Sequence, residues 1–230
     1  MILRSVDKHT LPLLVKQIVL TAFVNSGQLC ALEKEILVEA EIYDAVKQTL
    51  VNEIRALPFG SPSDIVGPIL DNPAFKRMQE VLEKIKHEPA NYKILVGGNT
   101  DSSNHLVEPT LIEIVGQFDY FMDYFGPMLF IKKVASTEDA INEIKKDKYH
   151  GSHVYVHGDT FEVFKVEGKL KEHIATIRLN TNILSESIDW PYGGGVGKYH
   201  FIAKHKTADG QIIREKGKVY LSHLLTSPAR

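Results

Sequence analysis

Among 230 residues there is one thiol, Cys30, and it closes the segment Asn25-Ser26-Gly27-Gln28-Leu29-Cys30. A cysteine thiolate attacks carbonyl carbon near neutral pH, and nearby amides or cations favour the thiolate. Two readings of Cys30 stand side by side. It is exposed in a pocket and reacts with electrophiles, or it is a structural thiol, since free cysteines are often buried and inert. In the first reading Asn25 supports the cysteine loop; in the second it is a polar residue that ends a helix. Gly27 supplies an unusual backbone conformation or a simple turn. His153 and His157 share one side of a strand, but a pair of imidazoles without further ligands makes no metal centre, so no metal is expected. Gly193 to Gly195 do not follow the strand, glycine loop and helix order of a phosphate cradle.

The elements that must position Cys30 are legible from periodicity. Leu11, Leu13, Leu14, Ile18, Val19 and Ala22 recur at helical intervals and lead to Asn25-Ser26-Gly27, where helix propensity falls. The start of the chain, broken by Asp7, His9 and Lys16, reads as an amphipathic helix rather than a signal peptide or membrane span. Glu35 to Val38 is a strand, followed by a helix through Ile42, Val46, Leu50 and Ile54 that Pro58-Phe59-Gly60-Ser61-Pro62 ends. A helix over 73–86, a strand over 92–96 and an extended run over 107–115 broken at Pro109 come next. Then follow a strand over 128–134, a helix over 136–147 opened by Ser136 with Asp139, a strand over 153–157, a helix over 160–170 weakened by Gly168, and a strand over 174–179. The alternation predicts an α/β fold with a mostly parallel open sheet flanked by helices. Residues 210–222 read as extended chain that covers a sheet edge or pairs with another subunit.

Composition narrows the function classes. Twenty-seven basic residues against twenty-nine acidic ones give a formal charge of -2, and 43% of residues are hydrophobic, enough for a sizeable core. Lys132-Lys133, Lys145-Lys146 and Lys204-His205-Lys206 are solvated faces among acids, so neither nucleic acid nor membrane is an expected partner. A single cysteine forms no internal disulfide, which points to a reducing, cytoplasmic compartment.

Several short motifs occur in a telling order. Asn25-x-Gly27-Gln28-x-Cys30 is followed by a strand and Ile42-Tyr43-Asp44, then Gly67-Pro68-Ile69-Leu70, Pro109-Thr110, Tyr124-Phe125-Gly126-Pro127, Asn180-Thr181-Asn182 and Pro191-Tyr192-Gly193-Gly194. Together they resemble the catalytic domain of the NAD(P)-dependent aldehyde dehydrogenases. The resemblance implies that Cys30 matches the nucleophile and that Asp123 stands where the family has the glutamate that binds the nicotinamide ribose. It also implies that Phe125 belongs to the old nicotinamide region. The matched region is taken as a catalytic domain over 1–206, with a C-terminal extended oligomerisation tail over 207–230.

In the family the dinucleotide-binding domain and the general-base segment precede the cysteine, whereas here Cys30 comes early in the chain. The resemblance therefore implies a stand-alone domain that is not an active dehydrogenase as a single chain and binds no cofactor. NAD or NADP enters only if activity is retained or a nucleotide-binding partner completes the site. An oligomeric scaffold or regulatory partner, as a homodimer or higher homo-oligomer, is the expected role. The alternatives are a Cys30-dependent esterase, thioesterase or carbonyl-reactive enzyme, or one part of a split aldehyde dehydrogenase.

Overall fold

A computed structural model describes residues 1–30, 32–119, 124–146, 153–174, 176–183, 202–206 and 212–216. The first helix, α1 (Leu11–Phe23), buries Leu11, Val15, Ile18, Val19 and Ala22 on one face, as their spacing requires. It leads through a short turn at Val24–Gly27 to β1 (Glu35–Glu39) and α2 (Ala40–Arg55). There follow α3 (Asn72–His87), β2 (Tyr92–Val96), a short hairpin of two-residue strands, β3 (Thr100–Asp101) and β4 (Leu106–Val107), then β5 (Thr110–Ile114) and β6 (Met128–Val134). The chain continues with α4 (Thr137–Lys146), β7 (His153–Val156), α5 (Thr160–Leu170) and β8 (Thr176–Leu179), and then β9 (Ile202–Lys206) and β10 (Ile212–Lys216).

The main sheet has the order β1-β6-β5-β2. Its first three strands are parallel, whereas β2 runs antiparallel to β5. The sheet is thus mixed where the sequence predicted a mostly parallel one, because a strand's direction depends on its connection and not on its own residues. The pair β7 and β8 is parallel, and β9 pairs antiparallel with β10. The extended run expected at 210–222 contains β10, and its partner β9 ends at Lys206.

Ahead of the helix, Met1 to Leu3 bridge the two parallel units. Ile2 pairs with both Val38 and His157. The Ile2 amide donates to Leu37 O at 2.8 Å, and the Leu3 amide donates to His157 O at 2.9 Å. Glu39 fastens this joint, accepting from the Arg4 amide at 2.6 Å and from Thr137 Oγ1 at 2.7 Å. Beyond β8, Asn180 and Gly158 exchange hydrogen bonds, Asn180 Nδ2 to Gly158 O and the Gly158 amide to Asn180 Oδ1.

Alternation along the strands sorts the core into layers. Ile36, Val38, Leu111, Leu129 and Ile131 pack with α1 and α2. Ile112, Ile114, Met128 and Phe130 pack with α3 on the other face. Leu37 and Val134 extend that second face toward α4, α5 and Val156. Burial on both faces explains why Met128-Leu129-Phe130-Ile131 is a continuous apolar run. Phe130 alone, fully buried, contributes on the order of 2–3 kcal/mol.

Candidate functional site

Where α1 ends, the backbone turns left-handed at three consecutive residues: Asn25 (φ 52°), Ser26 (φ 57°) and Gly27 (φ 68°). The two L-residues in this conformation each cost about 1–2 kcal/mol, so the turn stands only because its surroundings hold it. Ser26 is buried, and its Oγ donates to Gly67 O at 3.0 Å while accepting from the Gly67 amide at 2.9 Å. The Ser26 amide donates to Ile65 O at 3.1 Å. Gln28 continues the attachment, its Oε1 accepting from the Leu70 amide at 2.9 Å. The Gly67-Pro68-Ile69-Leu70 segment is therefore the wall to which the cysteine loop is bonded.

A second wall is the Tyr124–Pro127 segment. A Cβ at Gly27 would overlap the Gly126 carbonyl, so the two backbones meet at a spacing that only glycine allows. Tyr124 is buried, which pushes its phenol well above its ordinary pKa, with Glu35 adding to the effect; the neutral hydroxyl reaches Lys34 O at 3.1 Å and Met128 O at 3.3 Å. The Lys34 ammonium donates to Gly27 O at 2.6 Å and lies over the rings of Tyr124 and Phe125.

Cys30, at the end of this loop, is exposed. Leu29 (44%), Phe125 (38%) and Leu70 (85%) keep apolar surface open on the loop and its two walls. Asn25 is exposed and contributes its carbonyl, which accepts from the Gln28 amide at 3.1 Å and from Gln28 Nε2 at 3.2 Å. The structure thus joins Asn25, Cys30 and Phe125 through one loop and its neighbouring segment. Asp123 and the Pro191–Gly194 motif lie outside the described residues. Ser26 and Lys34 were missed by the sequence reading. The signal for Ser26 was a small polar residue inside a glycine turn, whereas Lys34 looked like an ordinary charged residue before a strand.

Among the described residues no group of three or more His, Cys, Asp or Glu is arranged to hold a metal ion, and no helix is long and apolar enough to cross a membrane. A pyridine nucleotide can be tested against the chemistry of these residues. Phe125 offers an aromatic face. The amides and dipole of a helix N-terminus favour anions such as a diphosphate, and α1 carries neither a side-chain cap nor a first-turn acid. Here α3 and α5 are capped by Asp71 and Asp159, which accept from their first-turn amides. Glu41 stands in the first turn of α2, and Glu138 and Asp139 in that of α4. These carboxylates oppose a phosphate at the N-termini of α2, α3, α4 and α5.

The model of the aldehyde dehydrogenase family matches residues 2–198. The chain belongs to the aldehyde dehydrogenase family. A lactaldehyde dehydrogenase of Methanococcus maripaludis is 27% identical over 186 residues, which are 79% of this chain and 39% of that relative. A 1-pyrroline-5-carboxylate dehydrogenase of Anoxybacillus flavithermus is 25% identical over 197 residues, 82% of this chain and 37% of the relative. The crystal structure of the Escherichia coli lactaldehyde dehydrogenase superposes with a TM-score of 0.74 at 24% identity, covering 86% of this chain and 43% of that one, a likeness of fold. The chain therefore spans about two fifths of the length of the aldehyde dehydrogenases it matches.

Proposed function

We propose that these residues form an aldehyde-dehydrogenase-type thiol domain that, by itself, carries out no NAD(P)-dependent oxidation and works as an oligomeric scaffold or regulatory partner in a reducing, cytoplasmic setting. The observation that carries this reading is a contrast within the described residues. The loop bearing Cys30 is bonded to its neighbours through Ser26, Gln28 and Gly27, whereas the N-termini of α2, α3, α4 and α5 carry Glu41, Asp71, Glu138, Asp139 and Asp159, which oppose a diphosphate. Self-association is supported by the β9–β10 hairpin, since an isolated two-stranded hairpin is marginal in water and gains stability by pairing. Titration calorimetry of NAD and NADP into the purified, reduced protein should give no heat of binding, and micromolar affinity would overturn the reading. Light scattering behind size exclusion should report a dimer or larger; a monomer at high concentration would remove the scaffold.

The exposure of Cys30 favours a second reading, a Cys30-dependent reaction with an ester, thioester or reactive carbonyl. The Sγ would form a bond to the carbonyl carbon and expel the alcohol or thiol of an ester or thioester, leaving an acyl-enzyme for water to hydrolyse. Acyl-enzyme seen by mass spectrometry and lost in Cys30→Ala supports it, and turnover unaffected by that substitution rejects it. In a split dehydrogenase, aldehyde oxidation would arise only on adding a nucleotide-binding partner, with Asp123 and Phe125 meeting the cofactor.

A further inference from the structure

Lys34 precedes β1 by one residue and follows Cys30 by four, and it ties together three stretches of chain. Its ammonium bonds the Gly27 carbonyl at 2.6 Å and lies 5.1 Å from the ring centroid of Tyr124 and 5.7 Å from that of Phe125. Its own carbonyl accepts from the Phe130 amide at 2.9 Å and from the Tyr124 hydroxyl at 3.1 Å. Lys34 is therefore anchored to the edge of the sheet at its backbone and to the cysteine loop at its tip. A cation bonded to a carbonyl is a stronger tie than a neutral amide would be. The carbonyl it grips belongs to the last residue of the left-handed turn.

We propose that Lys34 is the positioning residue of the thiol loop: its ammonium fixes the Gly27 peptide against the Tyr124–Phe125 rings and keeps a positive charge beside the chain segment that ends in Cys30. The proposal rests on Cys30 being the reactive group of this site. Cys30 lies three residues along the chain from Gly27, a reach of at most about 10–11 Å, so a shift of the Gly27 peptide is passed directly to the thiol. Glu33 and Glu35 flank Lys34 and oppose it. Both act on the Met1 amino group, and Glu35 also acts on Tyr124.

Because Cys30 is the only cysteine, iodoacetamide alkylation of the whole chain reports this thiol alone. The rate would be followed between about pH 6 and 10 for the parent protein, Lys34→Arg, Lys34→Gln and Lys34→Met, with thermal melting as the check on folding. Loss of the ammonium in Lys34→Met and Lys34→Gln releases the Gly27 peptide and should slow alkylation about threefold across that range. Lys34→Arg, which keeps the charge and a donor, should follow the parent curve. If Lys34→Met does not fold, the glutamine and arginine variants decide. Rates that coincide in folded variants, or a lower melting temperature with an unmoved rate, overturn the proposal and leave Lys34 a packing residue. Alkylation requires neither turnover nor cofactor, so a thiol that alkylates with the predicted dependence yet turns over no ester or carbonyl refutes the enzymatic reading alone.

Discussion

Gly27→Ala is the perturbation that most directly tests how the cysteine loop is held. Gly27 stands at φ 68°, and a Cβ there would overlap the Gly126 carbonyl and come within 3.2 Å of Pro127 N. A left-handed alanine costs about 1–2 kcal/mol, and forcing a methyl into an occupied space about 1–3 kcal/mol more. Relief by movement of the facing segment is limited. The Thr110 amide holds Pro127 O at 2.8 Å, and the Tyr124 hydroxyl is bonded to Lys34 O. The two contributions together give about 2–5 kcal/mol, which in a chain of this size lowers the melting temperature by roughly 5–15 °C. Melting followed by far-ultraviolet circular dichroism measures the loss, and iodoacetamide alkylation of Cys30 in the still-folded protein measures whether the loop has moved. A Gly27→Ala protein that melts with the parent and alkylates at the same rate would refute the claim that two backbones meet there at glycine spacing.

Other substitutions probe the frame. Gly168 lies within α5 with open space where a Cβ would go, so Gly168→Ala should stabilise the protein by about 0.5–1 kcal/mol and raise its melting temperature by a few degrees. Ser26→Ala removes both bonds to Gly67 and should cost about 1–3 kcal/mol, read as a lower urea midpoint at unchanged slope. Tyr43 donates to Glu113 at 2.6 Å; burial raises the Glu113 pKa, but the bonds from Tyr43 and Lys47 outweigh it and leave the carboxyl below its usual range. Tyr43→Phe should cost about 1.5–3 kcal/mol and let the Glu113 pKa rise, the first seen in urea unfolding and the second in carboxyl titration by NMR. For His157, burial first and the Met1 amino group second lower the pKa to about 3, so the unfolded chain, titrating near 6.5, binds the proton more readily. Its contribution is complete above pH 6.5 and declines toward pH 3 by up to about 1.4 kcal/mol per unit, a slope that His157→Leu should remove from urea unfolding at pH 7.5 and 5.

Much of the frame was legible because periodicity reports burial. The spacing of Leu11, Ile18, Val19 and Ala22 gave α1, and Asp139 N does donate to Ser136 Oγ at the start of α4. The mixed direction of the sheet was not legible, since nothing local to Tyr92–Val96 distinguishes an antiparallel edge strand from a parallel one. Nor was the bridge at Ile2, whose partners Val38 and His157 are distant in sequence. At the site, the order of the motifs marked the loop and the two segments that the structure places against it, and the thiol itself is exposed. What joins loop to wall is mostly backbone: Gly67, Leu70, Gly27 and Gly126 present amides and carbonyls that every residue carries, so their pairing leaves no mark on residue type.

That dependence on backbone also separates two properties that a whole family enzyme combines. Holding a thiol on a left-handed turn needs one hydroxyl, one amide side chain, one ammonium and two glycines at close approach, and Ser26, Gln28, Lys34, Gly27 and Gly126 meet each requirement. A helix N-terminus holds a diphosphate through free amides, and here Asp71 and Asp159 already occupy first-turn amides of α3 and α5. The carboxylates stabilise the helices that bear them by about 1 kcal/mol each, so they serve the fold whether or not a nucleotide is ever bound. Replacing Asp71 with asparagine keeps the cap and removes the charge. If the charge is what opposes phosphate, weak pyrophosphate binding should appear at the start of α3 in Asp71→Asn by NMR titration, with stability nearly unchanged. An equally silent titration in both proteins would show that the geometry there excludes phosphate irrespective of charge.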